Sequence, residues 1–184
     1  LRASARGEDW EGEDAMSKSR GAQGKSLYTD EERRRRDASP WTMVQGVLAP
    51  LQFIVFLVSL GLVLHYLATG SGYEAATISI VVKTLLLYTI MITGSIWEHE
   101  VFGRYLFAPA FYWEDVFSML VLALHTAYLI ALFTGWLSPS GQMLLALAAY
   151  AAYVINAAQF LLKLRAARIE GACRSELSLA EAAQ

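Results

Sequence analysis

Four long apolar runs dominate this chain and constrain its fold more than any other feature. A helix needs roughly 20 apolar residues to cross the ~30 Å hydrocarbon core of a bilayer, and each run is long enough. Hydrophobic residues make up 55% of the chain, more than is usual for a domain with a wet surface. We therefore predict an all-α fold, an integral membrane four-helix bundle whose spans are residues 43–67, 75–97, 112–133 and 141–164.

Basic residues set the expected orientation of the bundle. The short turns after the first and third runs contain no Lys or Arg, whereas basic residues precede the first run and follow the fourth. Loops rich in Lys and Arg stay in the cytoplasm, so we predict that both termini are cytoplasmic. The segment 97–115 then lies on the same side. The basic residues concerned are Arg33, Arg34, Arg35, Arg36, Lys163, Arg165 and Arg168.

Polar ends flank the predicted membrane domain of residues 41–168. We expect residues 1–40 to form a flexible polar and basic tail and residues 169–184 a second flexible tail, because neither contains an apolar run. Met16 is a candidate start of the protein, and a polar tail that begins at Leu1 is the equal alternative. The single cysteine, Cys173, argues against a disulfide framework, a C-x-x-C redox pair and a thiolate metal site.

The segment 97–115 concentrates carboxylates and aromatic rings at the expected membrane surface. A plain connection between two helices does not need four carboxylates, so this combination favours acid/base chemistry on a flat, apolar substrate. The ordinary alternatives are an interfacial aromatic belt and ion pairs with Arg104. The candidate residues are Glu98, His99, Glu100, Glu114 and Asp115, framed by Trp97, Tyr105, Tyr112 and Trp113.

Polar residues also recur inside the predicted spans, where they are costly and commonly functional. Their spacing puts them on shared helix faces, richest toward the cytoplasmic side, which predicts a shared polar cavity. Interhelical hydrogen bonding is the alternative for any one of them. The faces contain Gln45, Gln52, Ser59 and Tyr66 in the first span, Glu114, Ser118, Val121 and His125 in the third, and Asn156, Gln159 and Lys163 in the fourth.

Two ionisable residues lie deeper in the predicted spans. His125 is a candidate interhelical hydrogen-bond partner, axial ligand to a chelated metal or proton relay, and the first reading is slightly favoured. Lys83 is a candidate internal counter-ion of a carboxylate or a residue that extends to the membrane surface.

Several classes of protein do not fit this pattern. A di-haem cytochrome needs two pairs of axial histidines, and the chain has three histidines in all. A zinc hydrolase needs three convergent ligands, and no H-E-x-x-H motif is present. A nucleic-acid-binding protein needs a basic face, whereas the formal net charge is −2. We therefore predict no metal site and no nucleic-acid partner.

Three stretches resemble a known family. They are DASPWTMVQG at 37–46, GSIWEHEVFGRYLFAPAFYWED at 94–115 and NAAQF at 156–160. All three are similar to the 2-vinyl bacteriochlorophyllide hydratases of anoxygenic phototrophs. The resemblance implies a lyase that adds water to the ring-A vinyl group of a chlorophyllide or bacteriochlorophyllide in bacteriochlorophyll biosynthesis. It also implies no cofactor, since the substrate contains its own magnesium, and a multi-pass protein of the inner or intracytoplasmic photosynthetic membrane.

That reaction suggests roles for the candidate residues. We expect Glu98 and Glu114 to divide the acid and base roles, with Asp115 or His99 assisting. Glu114 is the preferred inward residue, because adjacent positions on a helix point about 100° apart. The expected substrate-binding residues are Trp97, Tyr105, Tyr112, Trp113, Gln52, Asn156, Gln159 and His125.

Two other functions stay open from the sequence. One is a membrane protein that binds or delivers tetrapyrroles without chemistry, and the other is a small transporter that uses Lys83 and His125. The expected partners are the magnesium tetrapyrrole and membrane lipid. A homo-oligomer, neighbouring pathway enzymes, the preference for chlorin or bacteriochlorin and the stereochemistry of the product stay open.

Overall fold

The computed structural model describes residues 28–182, and within this range every regular element is an α-helix. Met16 and most of the predicted N-terminal tail lie outside the described residues. The helices are α1 (Asp30–Ala38), α2 (Pro40–Thr69), α3 (Tyr73–Phe102), α4 (Tyr112–Thr134) and α5 (Pro139–Ala182).

Helices α2 to α5 contain the four predicted spans, each long and apolar enough to cross a membrane. The prediction of an all-α protein with four candidate spans is therefore confirmed. Each helix is longer than its predicted span, because helical hydrogen bonding continues into the polar flanks. Helix α1 and the end of α5 occupy segments that the sequence predicts as tails. A capping box at Thr29 and Glu32 fixes the start of α1.

The helices pack as two antiparallel pairs, α2 with α3 and α4 with α5. Contacts of α2 with α5 and of α3 with α4 join the pairs into one bundle. The predicted polar faces of α2 and α4 turn inward, as the burial of Gln52, Ser59, Glu114, Ser118 and His125 shows. Polar groups are therefore enclosed by the bundle, while many large apolar side chains stay exposed on its outside.

A cluster of aromatic rings closes the end of the bundle where α3 and α4 are joined. Phe111 contacts Trp97, Phe102, Phe160 and Tyr28 at ring-centroid distances of 5.8 to 6.3 Å. Tyr28 precedes α1, and its burial raises the pKa of its hydroxyl group. The phenol therefore stays neutral, and it packs against Phe102 and Phe111 at this end of the bundle.

Candidate active site

A short connection, residues 103–111, brings the last turns of α3 against the first turn of α4. Helix α3 ends at Phe102, and the capping residue Gly103 has a φ of +74°, a left-handed conformation that glycine adopts without steric cost. The connection ends in a turn in which the Phe111 N–H donates to the Ala108 carbonyl at 2.8 Å. This chain reversal places Glu98 of α3 beside Asp115 of α4.

Glu98 and Asp115 form a buried carboxyl pair, with 4% and 6% of their surfaces exposed. Their carboxyl groups lie close enough to act on each other electrostatically. The Ala108 N–H donates to Glu98 Oε1 at 2.6 Å, and the Phe107 N–H donates to Asp115 Oδ2 at 2.7 Å. Two buried carboxyl groups this close together disfavour ionisation of both, which favours a proton on one of them. The pair can therefore offer an acid and a base side by side.

Glu114 has a different partner. Lys163 of α5 donates to both of its carboxylate oxygens, at 2.8 and 2.7 Å. The Lys163 Nζ also lies 4.9 Å from the centroid of the Phe111 ring. A carboxylate that accepts two hydrogen bonds from one ammonium group suits electrostatic stabilisation better than proton donation.

The structure thus places Asp115, rather than Glu114, next to Glu98. It also buries both adjacent carboxyl groups, Glu114 at 7% and Asp115 at 6% exposure, although the sequence suggested that only one could face inward fully. The reason is that the first turn of α4 is enclosed on two sides. Asp115 meets the 103–111 connection, and Glu114 meets α5.

His99 lies apart from the carboxyl pair. Its exposed ring stacks on Tyr105 with centroids 4.1 Å apart, which leaves it at the surface of the connection. Neighbouring Glu100 accepts a hydrogen bond from the Ser39 hydroxyl at the start of α2. Within residues 28–182, neither side chain hydrogen-bonds to Glu98 or Asp115.

The predicted aromatic residues divide into two groups. Trp97 is half-buried, and its indole N–H donates to Thr42 Oγ1 at 2.9 Å, which joins α3 to α2. Tyr105, Tyr112 and Trp113 are instead 60%, 48% and 66% exposed. Tyr112 and Trp113 contact each other at a ring-centroid distance of 5.7 Å and precede Asp115 by three and two residues, whereas Tyr105 stacks on His99. A flat apolar molecule could contact these exposed rings.

Three carboxamide side chains leave polar atoms unused. Within the described part of the chain, Gln52 is 2% exposed and neither its oxygen nor its nitrogen has a hydrogen-bond partner. Asn156 donates to Ser118 Oγ at 2.9 Å, but its oxygen is buried without a partner, as is that of Gln159. Buried polar groups are nearly always satisfied, so these atoms mark places for a water molecule or a polar ligand group.

Both ring nitrogens of His125 are occupied. Nδ1 donates to the Val121 carbonyl at 2.8 Å, so the neutral ring leaves Nε2 to accept from Lys83 Nζ at 2.9 Å. Lys83 is fully buried and lies 4.2 Å from the Tyr153 ring and 5.0 Å from the Tyr150 ring. This geometry supports interhelical hydrogen bonding. Among residues 28–182, no group of three or more His, Cys, Asp or Glu side chains converges as a metal site would require.

We expect His125→Leu to lower the free energy of unfolding by about 3 kcal/mol, because it leaves the Lys83 amino group buried without an acceptor. The double variant Lys83→Met/His125→Leu removes both partners and should recover most of that loss. The measurement is unfolding of the purified protein as SDS is added to a mild detergent, monitored by circular dichroism. A double variant no more stable than His125→Leu would contradict a pairwise role.

Two features of the site have weak or no sequence signals. Lys163 shares a helix face with Asn156 and Gln159, but nothing in the sequence identifies Glu114 as its partner. The backbone N–H groups of Phe107 and Ala108 have no signal at all, since every residue except proline has such a group. The conformation of the connection alone points them at the carboxyl pair.

Comparison with known proteins matches residues 28–166 to the profile of the 2-vinyl bacteriochlorophyllide hydratase family. A 2-vinyl bacteriochlorophyllide hydratase from Rhodobacter capsulatus is 71% identical over 149 residues, covering 80% of this chain and 86% of that protein. One of the same description from Cereibacter sphaeroides is 72% identical over 145 residues, covering 78% of this chain and 89% of that protein. No solved structure matches the chain.

Proposed function

The chain belongs to the 2-vinyl bacteriochlorophyllide hydratase family, and we propose that the Glu98–Asp115 pair is the centre at which it adds water to a bacteriochlorophyllide vinyl group. The enzyme is accordingly a hydratase of bacteriochlorophyll biosynthesis. The observation that supports this site is the buried, closely spaced carboxyl pair, because hydration needs one group that gives a proton and one that takes a proton.

The pair can supply both proton transfers in sequence. The protonated carboxyl group donates its proton to the terminal vinyl carbon, and the two π electrons of the vinyl bond form the new C–H bond. The cation that results on the inner carbon is delocalised into the macrocycle. A water oxygen then bonds to that carbon, and the pair takes up the proton that the water loses. The product is a 1-hydroxyethyl group, and the pair returns to its starting state.

Negative charge beside the pair favours the cationic intermediate. Glu114 is adjacent to Asp115 in sequence and acts electrostatically on it, while Lys163 offsets part of that charge. Fixed charges aimed at a developing charge stabilise the transition state without reorganising. The reaction changes no oxidation state overall, so we propose that the enzyme needs no redox cofactor and that magnesium enters only within the substrate.

The remaining candidate residues are suited to bind the substrate and the attacking water. We propose that Tyr105, Tyr112 and Trp113 contact the face of the macrocycle, since their rings are exposed and lie in or directly after the connection that covers the pair. The unpartnered oxygens of Asn156 and Gln159 are suited to hold the attacking water. His125 is not proposed as a magnesium ligand, because both of its ring nitrogens are engaged.

We propose that the site faces the cytoplasm, in the inner or intracytoplasmic photosynthetic membrane. Basic residues cluster at the end of the bundle that contains the carboxyl pair, which supports this orientation. Alkaline phosphatase is active only outside the cytoplasm, so a fusion after the last residue should be inactive. An active C-terminal fusion would refute the orientation.

The experiment that tests the function uses membranes containing the protein, a vinyl-bearing bacteriochlorophyllide and ¹⁸O-labelled water. We expect a product with a hydroxyethyl group that contains the heavy oxygen, detected by mass spectrometry. Membranes from cells that lack the protein are the control. Unchanged pigment that copurifies with the protein would instead show the carrier function that the sequence left open.

A further inference from the structure

We propose that Phe107 is a positioning residue, whose left-handed backbone aims two successive N–H groups at the carboxyl pair. The proposal builds on the proposed function, because it concerns how the same pair is held. The aromatic ring of Phe107 is not the operative part, and the conformation of its main chain is.

Phe107 has a φ of +60°, and it is the one residue other than glycine with a positive φ within residues 28–182. A bulky side chain strongly disfavours this conformation, because its Cβ crowds the backbone. Such strain persists where the surrounding structure fixes the residue, and it concentrates at functional sites. A glycine at this position would adopt the same backbone angle without strain.

Hydrogen bonds on both sides hold Phe107 in place. Its own N–H donates to Asp115 Oδ2 at 2.7 Å, and the following N–H, of fully buried Ala108, donates to Glu98 Oε1 at 2.6 Å. The Ala108 carbonyl accepts from the Phe111 N–H at 2.8 Å, which ties the connection to the start of α4. Pro109 further restricts the backbone of Ala108.

The left-handed φ is what lets both N–H groups reach the pair. A change to an ordinary φ of about −60° would rotate the peptide after Phe107 by about 120° and turn the Ala108 N–H away from Glu98. Successive N–H groups that converge in this way form a concave donor site for anionic oxygens. Because main-chain donors cannot rotate freely, they fix one oxygen of each carboxyl group and leave the pair in a single arrangement.

The test compares Phe107→Asn with Phe107→Val. Both remove the ring, so any loss of contact with the macrocycle affects the KM of both. Asparagine tolerates a positive φ, whereas β-branched valine does not. We expect kcat of the valine variant to be about tenfold below that of the asparagine variant, with similar KM values. Equal kcat values would overturn the proposal.

A second pair of variants tests the same proposal if the valine variant folds poorly. Phe107→Gly relieves the strain and Phe107→Ala keeps part of it, so kcat of the glycine variant should exceed that of the alanine variant severalfold. Circular dichroism and detergent extraction establish that compared variants are equally folded. Equal kcat for glycine and alanine would also overturn the proposal.

An infrared measurement separates failure of this proposal from failure of the proposed function. The protonated carboxyl group of the pair gives a C=O band that shifts in D₂O and disappears in the double variant Glu98→Gln/Asp115→Asn. We expect the band to be retained in Phe107→Asn and displaced in Phe107→Val; an unmoved band in both would refute positioning. If the band moves but Glu98→Gln still hydrates the substrate, Phe107 positions the pair and the pair is not the catalytic centre.

Discussion

Replacing Glu98 with Gln, or Asp115 with Asn, is expected to lower kcat for vinyl hydration by about 100-fold to 10,000-fold, the usual contribution of a positioned acid or base. Each amide keeps the size of the side chain and still accepts the backbone hydrogen bond from Ala108 or Phe107. It cannot give or take the proton of the reaction. The measurement is the initial rate of hydroxyethyl formation in membranes that contain equal amounts of folded protein.

Glu100→Gln is the matched control for these variants. Glu100 lies two residues from Glu98 on α3, but it is exposed and bonds to the Ser39 hydroxyl. Its variant should retain nearly full activity. Full hydration by both Glu98→Gln and Asp115→Asn would show that the chemistry takes place elsewhere in the molecule.

Replacing Lys163 with Met is expected to lower the free energy of unfolding by about 2 to 3 kcal/mol, because it leaves the Glu114 carboxylate buried without its counter-ion. The Glu114 side chain is 9% exposed and that of Lys163 is 25% exposed, so water compensates only part of the loss. The double variant Glu114→Gln/Lys163→Met should recover most of the stability, because it leaves no unpaired charge. Unfolding in SDS, monitored by circular dichroism, measures the free energy of unfolding of each variant.

Arg165→Gln is the control for the lysine variant. Arg165 lies two residues further along α5 and is exposed, so its loss should change stability by less than about 0.5 kcal/mol. If Lys163→Met and the double variant are equally unstable, the two side chains are not coupled. The double variant should also hydrate the substrate more slowly than the natural protein, because the fixed negative charge beside Asp115 is gone.

The sequence predicted the spans of this protein well because hydropathy and length are properties of the chain itself. A run of apolar residues must be helical to satisfy its backbone in a bilayer, so four runs give four helices. The inward face of α4 could also be predicted, since the spacing of its polar residues repeats at the helical period. In the structure all four residues of this face are buried: Glu114, Ser118, Val121 and His125. The capped helix at Asp30–Ala38 lacks an apolar run, and hydropathy therefore left it within a predicted tail.

The partners of the carboxylates were less predictable. The sequence identified Glu98, Glu114 and Asp115 as candidates, and it chose Glu114 for the pair because that residue shares a face with His125. Helical spacing gives the angle between two side chains but not what encloses them. In the folded protein, α5 brings Lys163 to Glu114, and the 103–111 connection covers Asp115.

By itself, the sequence determined that this protein is a membrane bundle, which family it belongs to and which acidic residues are available for chemistry. These follow from local composition and from long, specific motifs. Only the tertiary structure decided that Glu98 pairs with Asp115, that Glu114 pairs with Lys163 and that Phe107 adopts a φ of +60°. These contacts depend on how separate helices rotate and pack, and on a backbone angle that the identity of phenylalanine would not suggest.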